Sequence, residues 1–315
     1  MRSRMKKAAC YIITPLFLIV AIIITYQAIK TSSQTAEIPS PFLFNKLKEA
    51  TLVTILETPV GTKDGELSYG AISDNGIATA GPNDFAVAGN GDLYILDNYY
   101  NNGNGRISIF SNGKFINNIY ITNFVAYGVN MTFMKDSIYL FDHNYDQGNA
   151  YIVKMSLTGE LLEKYVYNGN ETSFDIQRLV VIDDKVVAIS QQACYELDET
   201  SKEVIKSDIM VGDTYLNQYQ RKITWGGINW TIPIEQPDII PVPIGKNSNG
   251  DLFTVFGGNK YICRCKANGE PVSIIHLDEL LKDTVYIQNN LYVAADGTLY
   301  IMAGSLDAVR VYQVQ

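Results

Sequence analysis

The side chains best suited to chemistry are acids, a tyrosine and a histidine that follow predicted β-strands. They form two short clusters and one later residue: Asp97, Tyr99, Asp142, His143, Asp146 and Asp307. Carboxylate oxygens beside aromatic rings suit a hard cation such as calcium, or a polar ligand such as a sugar or peptide. The alternative for Asp97 and Asp142 is structural, because Asp at a strand end caps loop amides through Asx turns.

The chain has little material for a metal centre built from histidine or cysteine. Its two histidines, His143 and His276, fall in different repeats, whereas zinc centres need three or four converging ligands. Cys263 and Cys265 are two positions apart on a predicted strand, where a bond between them would distort the backbone. We predict these two and Cys194 as small buried residues, with a redox or metal role as the alternative, and no cofactor apart from possible calcium.

The elements that position these residues are sequence repeats. Four segments combine a turn with an apolar strand: GDLYILD at 91–97, DSIYLFD at 136–142, GDLFTVF at 250–256 and GTLYIM at 297–302. A weaker copy, DKVVAI, occupies 184–189. Each copy follows a short strand and is followed by further strands. Gly-containing turns between these strands favour tight hairpins. Four antiparallel strands, repeated roughly every 40 to 50 residues, predict the blades of an all-β propeller.

One interval between repeats is too long for a single blade. It contains RKITW at 221–225 and INWTI at 228–232, which flank Gly226-Gly227 and predict a hairpin. Six blades result if this hairpin belongs to a degenerate fourth blade, and five result if it is an insertion. Both tryptophans, Trp225 and Trp230, lie in the hairpin, where we expect them to fill the core.

The first repeat carries a family resemblance. PNDFAV at 82–87, GDLYILD at 91–97 and RISIF at 106–110 together resemble the NHL-type repeat of six-bladed propellers. The chain is similar in this respect to membrane-tethered bacterial propeller proteins, over roughly residues 51–315. The resemblance implies an architecture and leaves the activity open, because a fold alone does not imply a function.

The N-terminal segment predicts a membrane anchor. Residues 8–29 contain no charged side chain. A helix formed by this run is long enough to cross the hydrocarbon core. Basic residues at positions 2, 4, 6 and 7 precede this run, so the N-terminus should be cytoplasmic and the remainder extracytoplasmic. We predict residues 1–30 as basic tail and single transmembrane anchor, 31–50 as stalk and 51–315 as propeller. A cleaved signal peptide is the alternative.

The final repeat predicts how the ring closes. It supplies three strands and the chain then ends, whereas residues 51–57, TLVTILE, form an extra strand before the first complete blade. Unpaired strand edges are exposed to unwanted pairing. We therefore expect residues 51–57 to pair with residues 309–314 and complete the last blade.

The exported part is acidic, which narrows its partners. Removing the five basic residues of the first thirty from the net charge of −8 leaves −13, and such a surface repels nucleic acid. We expect a non-catalytic module, single-pass in the cell membrane, that recognises or scaffolds a protein, peptide or glycan. The alternative is a divalent-cation-dependent hydrolase or lyase. Either site should lie on the face that carries the second-to-third and fourth-to-first connections, termed the loop face, and not on the opposite turn face.

Overall fold

The described residues form part of one compact unit that begins at Leu43. In the computed structural model they are 48–68, 82–97, 105–121, 130–144, 149–168, 176–190, 193–217, 220–233, 242–256, 261–266, 268, 270–277, 291–294, 296–305 and 307–315. The predicted transmembrane run at residues 8–29 lies outside these ranges. Within them, no helix has the length and apolar character needed to cross a membrane.

The elements of the described residues are β-strands, which confirms the all-β prediction. The first twelve are β1 (Lys48–Glu49), β2 (Leu52–Pro59), β3 (Pro82–Val87), β4 (Leu93–Asp97), β5 (Gly105–Ser111), β6 (Lys114–Ile121), β7 (Asn130–Met134), β8 (Ser137–Asn144), β9 (Asn149–Ser156), β10 (Leu161–Val166), β11 (Ile176–Ile182) and β12 (Lys185–Ser190). The others are β13 (Cys194–Asp198), β14 (Glu203–Lys206), β15 (Val211–Asn217), β16 (Gln220–Trp225), β17 (Ile228–Pro233), β18 (Val242–Lys246), β19 (Leu252–Phe256), β20 (Tyr261–Cys265), β21 (Pro271–His276), β22 (Leu291–Val293), β23 (Leu299–Gly304) and β24 (Ala308–Val314).

The strands pair into antiparallel units, which we number in chain order. Units 1 to 3 are the meanders β3–β6, β7–β10 and β11–β14, and unit 4 consists of β15–β17. Unit 5 consists of β18–β21, and unit 6 combines β22–β24 with β2. The outer strands β10 and β14 also pair in parallel, at Val166 and Glu203, and this joins units 2 and 3 into one sheet.

The first strands of the units surround a common centre. Strand β3 contacts β7, β7 contacts β11, β15 contacts β18, β18 contacts β22, and β22 contacts β3. Unit 3 approaches unit 4 where Ile182 lies against Gly226, a glycine with φ of +55° in the predicted Gly-Gly turn. The last unit therefore lies beside the first. Antiparallel sheets arranged radially in this way are the architecture of a β-propeller.

The hydrophobic core consists of clusters between neighbouring units. Between units 1 and 2, for example, Tyr94 and Phe133 meet edge to face with ring centroids 4.8 Å apart. Trp230 is completely buried in the cluster shared by units 3, 4 and 5, which confirms the predicted core role of the hairpin tryptophans. Cys263 and Cys265 are free, buried members of the same cluster, as predicted, with Sγ atoms 3.6 Å apart.

The ring closes as the sequence predicted. Strand β2 pairs antiparallel with β24 and places Leu56 opposite Val311, and this pairing supplies the fourth strand of unit 6. Leu56 is buried in the cluster between units 6 and 1. Lys48 and Glu49, the last part of the predicted stalk, form β1 and pair in parallel with β21 of unit 5. Strands β1 and β2 therefore lie along the outer edges of two units.

Candidate functional site

Asp97 lies at the end of the second strand of unit 1 and is completely buried. Arg106 on β5 donates to Asp97 Oδ2 from Nε at 2.9 Å and from Nη2 at 2.8 Å. The Ser68 backbone N–H donates to the same oxygen at 3.2 Å. Burial raises the pKa of Asp97, and the Ser68 hydrogen bonds and the Arg106 charge oppose that rise. The carboxylate is therefore engaged in a buried ion pair.

The Arg106 guanidinium also holds the segment that connects β2 to unit 1. It donates to the backbone carbonyl of Glu66 at 2.7 Å and to that of Thr62 at 3.3 Å. Leu67 in this segment is completely buried and forms an isolated bridge with Val60. The ion pair thus secures the closing strand to the first unit.

Asp142 occupies the equivalent repeat position in unit 2. It is completely buried, at the Cα position opposite Tyr151 on β9. Its carboxyl is hydrogen-bonded to the Tyr151 side chain, and the pKa of Tyr151 is raised by burial and then by the Asp142 charge. Both predicted acids therefore contact the third strand of their own unit.

The remaining predicted residues give no assembled site. Tyr99 and Asp146 lie outside the described residues, and of His143 only the backbone, within β8, is described. Asp307 is exposed directly before β24, where its backbone carbonyl accepts from the Val60 N–H at 3.1 Å. Within the described ranges, no three His, Cys, Asp or Glu side chains are grouped so as to hold a metal ion. The ligand-binding role of the loop face stays a prediction.

A cavity of about 780 Å³ lies where the first strands meet. Its walls include residues of β3, β7, β11, β18 and β22, together with Trp225 from unit 4. The turns that follow these strands, such as Ala88, Gly89 and Gly91 of unit 1, line its outer end. Because each first strand runs from the loop face to the turn face, the cavity reaches the turn face.

Asp84 is the most unusual group in this cavity. Its side chain is almost fully buried, and Oδ2 accepts the backbone N–H of Met131 at 2.7 Å. Its Oδ1 accepts the N–H of Phe85 at 2.9 Å. Burial raises the pKa of Asp84 to about 8, although these two N–H groups and the Arg178 charge act in the opposite direction. The carboxyl is therefore mostly protonated at neutral pH, and it links β3 to β7.

Asp84 belongs to a set of equivalent polar positions on the first strands. Asp84, Asn130 and Arg178 pair with Leu96, Phe141 and Ile189, which occupy the same position in their second strands. The Asn130 side chain also bridges two units, since its Nδ2 donates to the backbone carbonyl of Ile176 at 3.1 Å. Innermost strands have no neighbour on their central edge, so side chains at this position satisfy backbone groups that a sheet would otherwise pair.

β-Bulges help to position these polar side chains along the first strands. The register of β3 shifts between Pro82 and Asp84, and that of β11 shifts between Ile176 and Arg178. A bulge adds one residue to a strand and re-aims the side chains that follow it. Asp84 and Arg178 directly follow the two shifts, and both line the cavity.

The outer end of the cavity carries charges of both signs. The charged residues of this region are Lys135, Asp183, Asp184, Lys246 and Asp296. Lys135, Asp183 and Asp184 have positive φ, of 56°, 49° and 59°, a conformation that is uncommon outside glycine. At the inner end, burial and the nearby Asp84 charge raise the pKa of Tyr292, so its hydroxyl stays protonated.

The sequence predictions did not include the Asp84 and Arg178 positions. A signal was present, because Asp84 interrupts an apolar first strand and Arg178 occupies the corresponding place two repeats later. A charged residue on the innermost strand of a repeat has no solvated face, so it must find partners across units or line the centre. Comparison of the first strands, in addition to the second strands, would have identified the pair.

Comparisons with known proteins give fold-level similarity only. No protein-family model and no curated protein matches the chain. Among solved structures, an inactive variant of virginiamycin B lyase from Staphylococcus aureus with quinupristin is 15% identical, covering 84% of this chain and 99% of that chain with a TM-score of 0.48. A DUF4221-family member from Bacteroides vulgatus is 9% identical, covering 86% and 99% with a TM-score of 0.45. The WD40 propeller domain of Doa1 is 11% identical, covering 83% and 97% with a TM-score of 0.39.

Proposed function

We propose that the chain is a membrane-tethered recognition module, without catalytic activity, that binds a protein, peptide or glycan segment in the central cavity of an NHL-type six-bladed propeller. The cavity is the observation that carries the proposal, and it reaches the turn face and not the loop face that the sequence predicted. Its volume of about 780 Å³ falls within the range of roughly 300–1,000 Å³ that is common for ligand pockets. Its walls combine apolar strand residues with a few buried polar groups, which is the usual composition of such pockets.

Six blades are supported by the position of unit 4. Strands β16 and β17 pair along their whole length from Gln220–Pro233 to Trp225–Ile228, and β15 adds a third strand. Contacts between β15 and β18 support a position of this unit in the ring beside unit 5. An insertion would instead leave units 3 and 5 in direct contact through their first strands.

A role of Asp84 in shaping the pocket is supported by its hydrogen bonds. Both carboxyl oxygens accept backbone N–H groups, which fix the carboxyl in the cavity wall between β3 and β7. At neutral pH the group is mostly protonated, because its pKa is about 8. Asp84 is therefore suited to shape and polarise the pocket.

Occlusion of the cavity tests this proposal. Gly89 lines the cavity and has no atom within 4 Å of an added Cβ, so Gly89→Trp should fold and fill the opening. Purified full-length protein in detergent is screened against peptide and glycan arrays. Hits should be lost in Gly89→Trp and retained in Asn117→Trp, which places the same side chain on the exposed outer strand β6. Hits that survive Gly89→Trp, or an array with no hits, would contradict a cavity-based recognition function.

The tether is tested separately. A cysteine introduced by Ser40→Cys should react with a membrane-impermeant maleimide in intact cells, because the positive-inside rule predicts an extracytoplasmic stalk. Labelling that occurs only after lysis would refute the orientation. Release of a soluble fragment would show that the segment is a cleaved signal peptide.

A further inference from the structure

We infer that Cys263 and Cys265 of β20 are a site of reversible disulfide formation, at which exchange with a small-molecule disulfide joins their two Sγ atoms. This site goes beyond the proposed function, because it consists of two core side chains and requires no ligand in the cavity.

The two thiols are in van der Waals contact. Their Sγ atoms lie 3.6 Å apart, and both side chains are free, completely buried and members of one cluster. Residues two positions apart on a strand point to the same face, which accounts for this contact. The sulfur atoms must approach by roughly 1.5 Å to reach the length of a disulfide bond. The bond would therefore form within a single strand.

A register shift gives the backbone of β20 the freedom for that approach. The pairing of β20 with β21 shifts between Arg264 and Cys265, and Cys265 is the last residue of the strand. Two positions along a regular strand span roughly 6.6 Å between Cα atoms, near the upper end of the range of about 4.4–6.8 Å for a disulfide. A bulge bends a strand locally, so the end of β20 can close this span. The bond retains strain, which makes it easy to reduce.

The surroundings of the pair favour two uncharged forms over a bound metal ion. Leu252 and Ile274 belong to the same buried apolar cluster. The hydrogen bond with Cys265 and burial raise the pKa of the Cys263 thiol, and metal ions bind the thiolate, not the thiol. Across the described ranges, no third His, Cys, Asp or Glu joins two others in a group able to hold a metal ion. A dithiol and a disulfide are both neutral, so either is compatible with this core.

Exchange begins at Cys265, because local opening at the end of β20 brings it to solvent beside the exposed Lys266. The Cys265 thiolate attacks one sulfur of the small disulfide, whose S–S bond breaks, and the released thiolate takes up a proton. Cys263 then loses its proton and attacks the Cys265 sulfur, which releases the other half as a second thiol. The protein loses two protons and two electrons, and the small disulfide gains them.

Bond formation should alter the wall of the central cavity. Trp225 belongs to the same cluster as the two cysteines and also lines the cavity. Movement of Cys265 toward Cys263 changes the packing of this cluster, and close-packed interiors transmit such displacements. The two redox states should therefore differ in the surroundings of Trp225.

The test counts thiols in full-length protein in detergent after incubation with reduced or oxidised glutathione. The chain has four cysteines, so after acid quenching and unfolding the reduced protein should take up four N-ethylmaleimide groups. The oxidised protein should take up two fewer, and dithiothreitol should restore them. Mass spectrometry of the digest should identify the Cys263–Cys265 bond by the loss of two hydrogen atoms. Tryptophan emission should change with the same redox dependence.

Cys194→Ala is the matched control, because Cys194 is a free, buried cysteine of the same cluster. It should still form the bond, whereas Cys263→Ala and Cys265→Ala should not, and their tryptophan emission should not respond to oxidised glutathione. Unchanged thiol numbers in the wild type would overturn the inference. A bond to Cys194, or a glutathione adduct that accumulates in place of the internal bond, would also overturn it. These wild-type measurements need neither a variant nor a cavity ligand, so their failure leaves the proposed function standing.

Discussion

The pH dependence of stability should report directly on Asp84. The group has a pKa of about 8 in the folded protein and an ordinary value of 3.8. Between these values the folded state binds one proton more than the unfolded state. The Asp84 contribution to the free energy of unfolding is therefore fully present below pH 3.8 and is lost as the pH rises to 8.

Asp84→Asn removes this titration while it keeps a neutral side chain of the same shape. One proton changes the free energy of unfolding by about 1.4 kcal/mol per pH unit, so wild type should lose roughly 3 kcal/mol relative to the variant between pH 5 and pH 7. At pH 5 the variant should be the less stable protein, because Asn has one acceptor oxygen for the two N–H groups of Phe85 and Met131. The difference should shrink as the pH rises, and it should level off above pH 8.

The assay is urea unfolding of full-length protein in detergent, followed by tryptophan fluorescence at one-unit steps from pH 5 to pH 9. Effects of other titrating groups are common to both proteins and cancel in the difference. Thr132→Val is the matched control, because Thr132 is a buried polar residue of the same cavity that does not titrate. It should shift stability equally at every pH. A difference between wild type and Asp84→Asn that is constant with pH, or that changes in the opposite direction, would refute the assignment of a raised pKa to Asp84.

Three further predictions concern the ring and its closure, each measured by urea unfolding. Leu56→Ala should lower the free energy of unfolding by about 2–5 kcal/mol, since it opens a cavity beneath the closing strand. Val53 on the same strand is more exposed, so Val53→Ala should lower it by less than about 0.5 kcal/mol. Equal effects of the two substitutions would contradict closure by β2. Arg106→Gln should lower the free energy of unfolding by about 3–5 kcal/mol, because it leaves the buried Asp97 carboxylate without its charged partner. Arg310→Gln, at an exposed ion pair, should lower it much less. Similar losses would show that burial of the Arg106–Asp97 pair does not increase its effect on stability. Gly245→Ala should lower the free energy of unfolding by about 1–3 kcal/mol, because its Cβ would lie 2.8 Å from Cγ2 of Val293 in unit 6. Unchanged stability would exclude this close approach.

Local patterns in the sequence predicted the strands well. Apolar segments after Gly or Asp turns, such as 91–97 and 136–142, became the second strands β4 and β8. The Gly226-Gly227 turn formed because both glycines adopt the positive φ that a tight hairpin demands. The closing strand at residues 52–59 could also be predicted. The last repeat lacks one strand and an extra strand precedes the first repeat, so pairing between them removes two exposed strand edges.

The same local reasoning did not determine which acids are buried. Asp97 and Asp142 end their strands at positions that loops usually expose, yet both are completely buried and contact the third strand. Their partners, Arg106 and Tyr151, are nine residues further along the chain in each case. The pairing register between the second and third strands sets these contacts. The sequence does not specify that register when a long connection joins the two strands.

Repeat spacing, strand alternation and turn residues were determined by the sequence itself, because they depend on backbone preferences within a few residues. Only the tertiary structure decided that Asp84 and Arg178 line one cavity, since they lie on separate first strands that closure of the ring brings together. Only burial in that ring raises the pKa of Asp84, because desolvation depends on every neighbouring unit and not on the residue's own segment.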